Sequence, residues 1–214
     1  MNTMKDLILI GGGGHCKAVI DVAECAGYNI LGILERPEFA GDDVLGYKII
    51  GDDSDIRRYA DKALFVVTVG QIKSPATRIR LHEELARCGG RLATIISPYA
   101  RVSRHASIGE GTVVMHNALV NAGAAIGKGC IINSFACIEH EVKVGDYCHI
   151  STGAIVNGCA GIGNGCFIGS QSVVNNGILI GDDVTVASFS LVNKNITYYG
   201  LYAGVPAEPL KTDR

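Results

Sequence analysis

The residues with the most chemistry lie in one stretch, Ile132-Asn-Ser-Phe-Ala-Cys-Ile-Glu-His-Glu-Val-Lys-Val-Gly-Asp-Tyr-Cys-His-Ile150. His140 stands between Glu139 and Glu141, Asn133 precedes it and His149 follows. An imidazole ordinarily titrates near 6.5. It can take the proton from an amine or hydroxyl that attacks a thioester, and general bases of this kind contribute about 10²–10⁴-fold. A neighbouring carboxylate can fix the ring tautomer and stabilise the imidazolium. The plainer alternative is a solvated polar residue at a chain corner, and the residues alone leave both readings open.

A second group is Gly11-Gly-Gly-Gly-His15, between the apolar run Leu7–Ile10 and an expected helix over 16–26. A glycine turn that opens a helix can receive phosphate oxygens on its backbone amides. The dinucleotide fingerprint Gly-x-Gly-x-x-Gly fails at its third glycine, where Cys16 stands. Glu35, followed by Arg36, ends the second expected strand, where such folds hold a ribose. The region is too short for a full dinucleotide fold, so a mononucleotide or nucleotide sugar fits better than NAD. The alternative is a turn that serves only close strand–helix packing.

Both groups need a frame. Strands are expected at 7–10, 30–34, 64–69 and 92–96, with helices at 16–26, near 53–60 and at 76–87. This alternation predicts a small Rossmann-like parallel sheet over residues 1–95. Residues 96–197 then hold seventeen consecutive hexapeptides without insertion. Every sixth residue from Ile96 to Val192 is Ile or Val, and the residue four places later is mostly small. A helical period near 3.6 cannot produce this. The pattern predicts an all-β left-handed parallel β-helix whose β-branched residues fill a triangular prism. Gly, Asn or Ser at the corners accept unusual backbone angles. Cys130, Cys148 and Cys166 recur every 18 residues, one per coil, and are expected to stack inside the prism as small apolar fillers. Residues 198–214 are read as a C-terminal tail.

The chain has 214 residues, a net charge of −2, eight cysteines, 28 glycines and no tryptophan. No basic cluster suggests nucleic acid. No apolar run reaches the roughly 20 residues of a membrane span, and the first residues lack the pattern of a signal peptide. A cytoplasmic protein with reduced thiols is expected.

The order of parts resembles the sialic-acid O-acetyltransferase-like family, which includes the nucleotide-linked 4-amino-sugar N-acetyltransferases of bacillosamine and perosamine type. Gly-Gly-Gly-Gly-His15, Asn133, the Glu-His-Glu segment at 139–141, Gly145-Asp-Tyr-Cys-His149 and Gly204-Val-Pro-Ala207 carry the resemblance, which covers essentially the whole chain. It implies a homotrimer with sites between subunits and direct acetyl transfer from acetyl-CoA, without an acyl-enzyme and without a metal. It makes His140 the base, with Glu141 orienting it and Asn133 assisting at the same site. His149, Gly158, Ser170 and Ser188 would contact acetyl-CoA. Gly11, Gly13, Gly14, His15, Glu35 and Gly70 would hold the nucleotide sugar. Relatives often carry Asp where Glu35 stands, which makes the nucleotide contacts here less secure.

Four rivals remain beside this reading. Sugar O-acetylation needs the same base and thioester. A nucleotide-sugar-binding scaffold would need no chemistry at all. A zinc β-helix enzyme would need a close histidine pair, but His105 and His116 are eleven apart and His140 and His149 nine apart. Cys137 could act as a nucleophile, although an amine attacking a thioester needs none. His82, on the expected helix over 76–87, is read as a surface residue.

Overall fold

The computed structural model describes residues 5–210. The N-terminal unit is built on β1 (Lys5–Ile10), which lies between β2 (Tyr28–Leu34) and β5 (Leu64–Val67) in parallel register. Two further strands, β3 (Asp43–Val44) and β4 (Tyr47–Gly51), extend one edge, and β6 (Arg91–Leu92) closes the other. The order is β3-β4-β2-β1-β5-β6, and only β3 runs antiparallel to its neighbour. Leu7, Ile8, Leu9 and Ile10 are all fully buried, because helices cover both faces of β1. Leu7 and Leu9 share a core with Cys16, Val19 and Ile20 of α1 (Gly14–Cys25). Ile8 and Ile10 share another with Ile56 of the short helix α2 (Ile56–Tyr59), and with Leu81 and Leu85 of α3 (Ala76–Arg87). This split follows from side chains alternating across a strand. The β3–β4 hairpin was not expected. Its two strands are short, and the turn between them, with Leu45 and Gly46 at left-handed φ of 52° and 85°, is its main local mark.

From Ile95 onward the chain winds as a left-handed parallel β-helix of two-residue strands spaced six residues apart. The first face starts at Ile95–Ile96 and recurs at 113, 131, 149, 167 and 184. The second starts at Arg101–Val102 and recurs at 119, 137, 155, 173 and 191. The third starts at Ser107–Ile108 and recurs at 125, 143, 161 and 179. Each strand pairs with the one 18 residues later, as Ile131 does with His149. From Val114 on, the repeating Ile and Val side chains fill one core with the small residues.

The small residues also bond. Cys130, Cys148 and Cys166 are completely buried, and their thiols donate to the carbonyls of Gly145, Gly163 and Gly181 at 2.9–3.1 Å. Thr112 heads the same column and donates to Gly127 at 2.8 Å. The thiols satisfy corner carbonyls that would otherwise be buried unpaired. The glycine column at 109, 127, 145 and 163 has a different cause: a Cβ there would come within 2.4–2.8 Å of the next coil. The segment after 197 does more than trail. Gly200–Ala203 adds a parallel strand to the first face, and Glu208–Pro209 turns back along it. The remaining expected tail residues, 211–214, and residues 1–4 of the expected N-terminal domain lie outside the described residues.

The two units share a core. Ala93, Ile95, Val113 and Met115 pack with the α1 side of the sheet. His116 extends the seam: it accepts from Ser97 Oγ at 2.6 Å and donates to Asp21 of α1 at 2.8 Å. On the other side Arg78 is 1% exposed. It donates to the carbonyl of Val69 at 2.8 Å and to that of Gly129, on the β-helix. Burial brings its pKa down to about 10, so it stays charged at neutral pH. His82 is buried rather than on the surface. It packs edge-on to Tyr147 with ring centroids 5.3 Å apart, because α3 turns this face towards the β-helix. Replacing Arg78 with Met is expected to lower stability by about 3 kcal/mol in urea unfolding, because two charge-assisted bonds go and two carbonyls lose their donor.

Candidate active site

The glycine loop opens into a cleft of about 440 Å³ lined by Gly11, Gly13, Gly14, His15, Glu35 and Gly70, together with Arg36, Asp53, Thr68, Thr77 and Arg80. All six residues expected to hold a nucleotide sugar therefore border one space. Gly11 sits at φ 107°, and a Cβ there would be 2.6 Å from Val69 Cγ2. Gly13 and Gly14 have open space where a Cβ would be. No side chain caps the first turn of α1, so its amides remain available to an anion. Thr68 locks the loop by donating to the Gly11 carbonyl at 2.6 Å.

Glu35 does something other than wait for a ribose. Its carboxylate accepts from the Gly12 amide at 2.5 Å and the Arg36 amide at 2.9 Å, bracing the loop from outside. Burial works against its charge, but those amides and the Arg36 guanidinium outweigh burial and hold the carboxyl below the usual range. Asp53, Thr68, Thr77 and Arg80 escaped the sequence reading. Only Thr68 left a signal there, as a polar residue at the end of an apolar strand.

Beyond His15 the cleft meets the β-helix. His149 Nδ1 donates to the Gln71 carbonyl at 2.6 Å, which leaves Nε2 to accept from Asn133 Nδ2 at 3.1 Å. The His15 ring stands 6.5 Å from that of His149, and Phe167 meets His149 edge-on at 5.1 Å. Burial, then Arg78 and His149, push His15 down to about 3. Burial, reinforced by Arg78, holds His149 at about 4 despite its bond to Gln71. Both rings are therefore neutral at pH 7. Gln71 Nε2 adds a bond to the Gly165 carbonyl at 3.1 Å, so the loop carrying Gly70 is fastened to the coils.

His140 stands elsewhere, at the corner between the second and third faces, with its side chain 54% exposed. Its Nδ1 faces Glu141 Oε2 at 3.3 Å, leaving Nε2 with a free lone pair. The two flanking acids differ. Glu139 is tied to Asn121 Nδ2 at 3.0 Å and to the His140 amide at 3.3 Å, so only Glu141 meets the imidazole. Glu141 reaches it from a left-handed φ of 60°. Within one chain Asn133 and His140 stand at different corners of the prism. Asn133 occupies the corner between the first and second faces, because the six-residue step from 133 to 139 carries the chain across a whole face of the prism. The expected acetyl-CoA contacts divide in the same way. Ser170 and Ser188 lie at Asn133's corner and Gly158 at His140's. Burial, then Glu139, raises the Cys137 thiol above its ordinary range, the wrong direction for a nucleophile.

A cleft at a glycine turn, joined to an uninterrupted hexapeptide prism with a carboxylate-paired histidine at its corner, defines the class: a hexapeptide-repeat transferase with a nucleotide-binding-type N-terminal domain. Residues 6–85 match the family described as the PglD N-terminal domain, and residues 105–140 and 160–194 match the bacterial transferase hexapeptide (six repeats). The acetyltransferase domain of PglB from Neisseria gonorrhoeae FA1090, in complex with acetyl coenzyme A, superposes with a TM-score of 0.90 at 30% identity, covering 97% of this chain and 100% of that one. PerB from Caulobacter crescentus, in complex with CoA and GDP-perosamine, gives 0.89 at 30% identity, covering 96% and 97%. The UDP-N-acetylbacillosamine N-acetyltransferase of Bacillus subtilis (strain 168) is 32% identical over 115 residues, 52% of this chain and 52% of that protein. The aligned part thus spans about half the length of that curated relative. The chain belongs to the sialic-acid O-acetyltransferase-like family, in the branch of the nucleotide 4-amino-sugar N-acetyltransferases of bacillosamine and perosamine type.

The buried histidines set a pH dependence. In the unfolded chain each titrates near 6.5, whereas in the fold His149 and His82 are held at about 4 and His15 at about 3. The unfolded state therefore binds more protons as pH falls below 6.5. Their contribution is complete above pH 6.5 and is lost as pH falls towards 4. Thermal melts are expected to drop steeply across that window, and less steeply for His82→Gln.

Proposed function

We propose that this chain is an acetyl-CoA-dependent N-acetyltransferase of a nucleotide-linked 4-amino sugar, acting in the cytoplasm as a homotrimer. The observation that carries the reading is the exposed His140–Glu141 pair, in a chain whose relatives are described in complexes with acetyl coenzyme A and with CoA and GDP-perosamine. The nucleotide would lie in the glycine cleft, its phosphates towards the first turn of α1. His140 Nε2 would take the proton of the sugar amine, and Glu141 would stabilise the imidazolium. The amine would attack the thioester carbonyl directly, and the CoA thiolate would leave. Asn133 holds one amide hydrogen on His149, so its other is free to meet the thioester oxygen. Among the described residues no helix is long and apolar enough to cross a membrane.

The second face supports the trimer. Its outward column reads Arg101, Leu119, Cys137, Ile155, Val173 and Leu191, apolar in every coil after the first and at least partly open to solvent. The third face shows Ser107, Ala125, Lys143, Gly161 and Leu179 instead. If second faces turn towards a threefold axis, the Asn133 corner of one subunit meets the His140 corner of the next. The residues that one chain keeps apart would then share a site.

Two measurements test this. A panel of UDP-, GDP- and dTDP-linked 4-amino sugars with acetyl-CoA and a thiol reporter is expected to reveal one good acceptor. His140→Ala is expected to lower kcat on it by at least about 10² with the melting temperature nearly unchanged. Near-normal turnover would remove His140 as the base. Separately, Ile155→Glu is expected to give folded monomers by light scattering, with activity lost. An active monomer would refute the shared site.

A further inference from the structure

The corner that carries His140 is shaped by the coil that follows. The imidazole brings its Cε1–Nε2 edge against Gly158: a Cβ built there would sit 2.5 Å from both Cε1 and Nε2 of His140. The backbone does not require glycine at this position, since Gly158 is absent from the residues with left-handed φ. Its missing side chain therefore answers to the imidazole and not to the turn. The next residue, Cys159, stacks directly over Glu141, 18 residues earlier. Its amide donates to the His140 carbonyl at 3.0 Å, and its thiol donates to Glu141 Oε2 at 3.5 Å. That same oxygen faces His140 Nδ1. Cys159 adopts a left-handed φ of 60°, a conformation that side chains other than glycine and asparagine rarely take. The bond to Glu141 keeps the thiol above its ordinary range, so it remains a donor.

We propose that Gly158 and Cys159 are positioning residues for the His140–Glu141 pair. Gly158 provides the seat of the imidazole by lacking a Cβ, and Cys159 holds the carboxylate from the far side. Glu141 Oε2 then lies between two donors, and the ring is confined to one orientation, with its Cε1–Nε2 edge beside Gly158. The inference rests on the reading of His140 as the base, and a misplacement of about 1 Å in such a group can cost about 10²-fold.

The test uses the full chain, acetyl-CoA and the best acceptor of the sugar panel. Gly158→Ala is expected to fold normally and to lower kcat at least about tenfold, with KM for acetyl-CoA and acceptor within about twofold. In a His140→Ala background the same change should cost nothing further. Cys159→Ala should lower kcat about three- to tenfold, and Cys159→Ser, which keeps a donor, should restore most of it. A crystal structure of Gly158→Ala should show the imidazole displaced, and this readout does not depend on turnover. An undisplaced ring overturns the seat. So does wild-type kcat in Gly158→Ala while His140→Ala is inactive, in which case the base reading survives. A rise confined to the KM for acetyl-CoA also overturns it and makes Gly158 a cofactor contact. If His140→Ala itself retains full turnover, the base reading falls instead, whatever the ring does. Equal activity of Cys159→Ala and Cys159→Ser at the wild-type level removes Cys159 from the arrangement.

Discussion

Everything in this molecule depends on how closely one coil can approach the next. The backbone bonds that join residue n to residue n + 18 demand strand spacing of about 4.8 Å all the way round the prism. At the corner of Gly109, Gly127, Gly145 and Gly163 that spacing leaves no space for a Cβ. At the inward corner positions it leaves space for a thiol or hydroxyl, and those groups then tie down the carbonyls they touch. The β-helix is thus held by a ladder and by a column of small bonds that share one geometric cause. Its rigidity lets an exposed corner residue such as His140 keep a fixed place.

The N-terminal unit uses this rigid post. Its sheet is too small to bury both faces fully by itself, and the α1-side core runs on into Ile95, Val113 and Met115 of the coils. Polar groups complete the attachment: Arg78 on Gly129, Gln71 on Gly165, and His149 on Gln71. These bonds bring His15, at the edge of the glycine cleft, towards His149 on the first face. They also make His15 and His149 neutral, because the seam that fixes their position strips their water.

The β-helix was legible in the chain because a strict period of six has one structural meaning, and stepping through it assigned the buried cysteines and the outward His140 alike. The cleft was legible for a similar reason: Gly11, Gly13, Gly14, His15 and Glu35 sit at the ends of strands that any parallel sheet brings together. Glu35 lines the cleft, but its bonds to the Gly12 and Arg36 amides were not legible, since sequence gives a carboxylate's address but not its hydrogen bonds. His82 and Arg78 were hidden, because burial of a polar helix face depends on a partner far along the chain. The separation of Asn133 from His140 was hidden by nearness in sequence. Seven residues look close, yet on this fold they span a face.

That last point has a consequence for how such a chain can change its length. Removing or adding one hexapeptide would leave the interior pattern of Ile and Val intact and every corner well formed. It would nevertheless rotate all that follows by about 120° about the prism axis, carrying each later corner onto the next face. Only steps of 18 residues return the azimuth. A length change between His140 and the carboxyl-terminal coils can therefore be silent to the core and still turn the outer surface away from whatever it was built to meet.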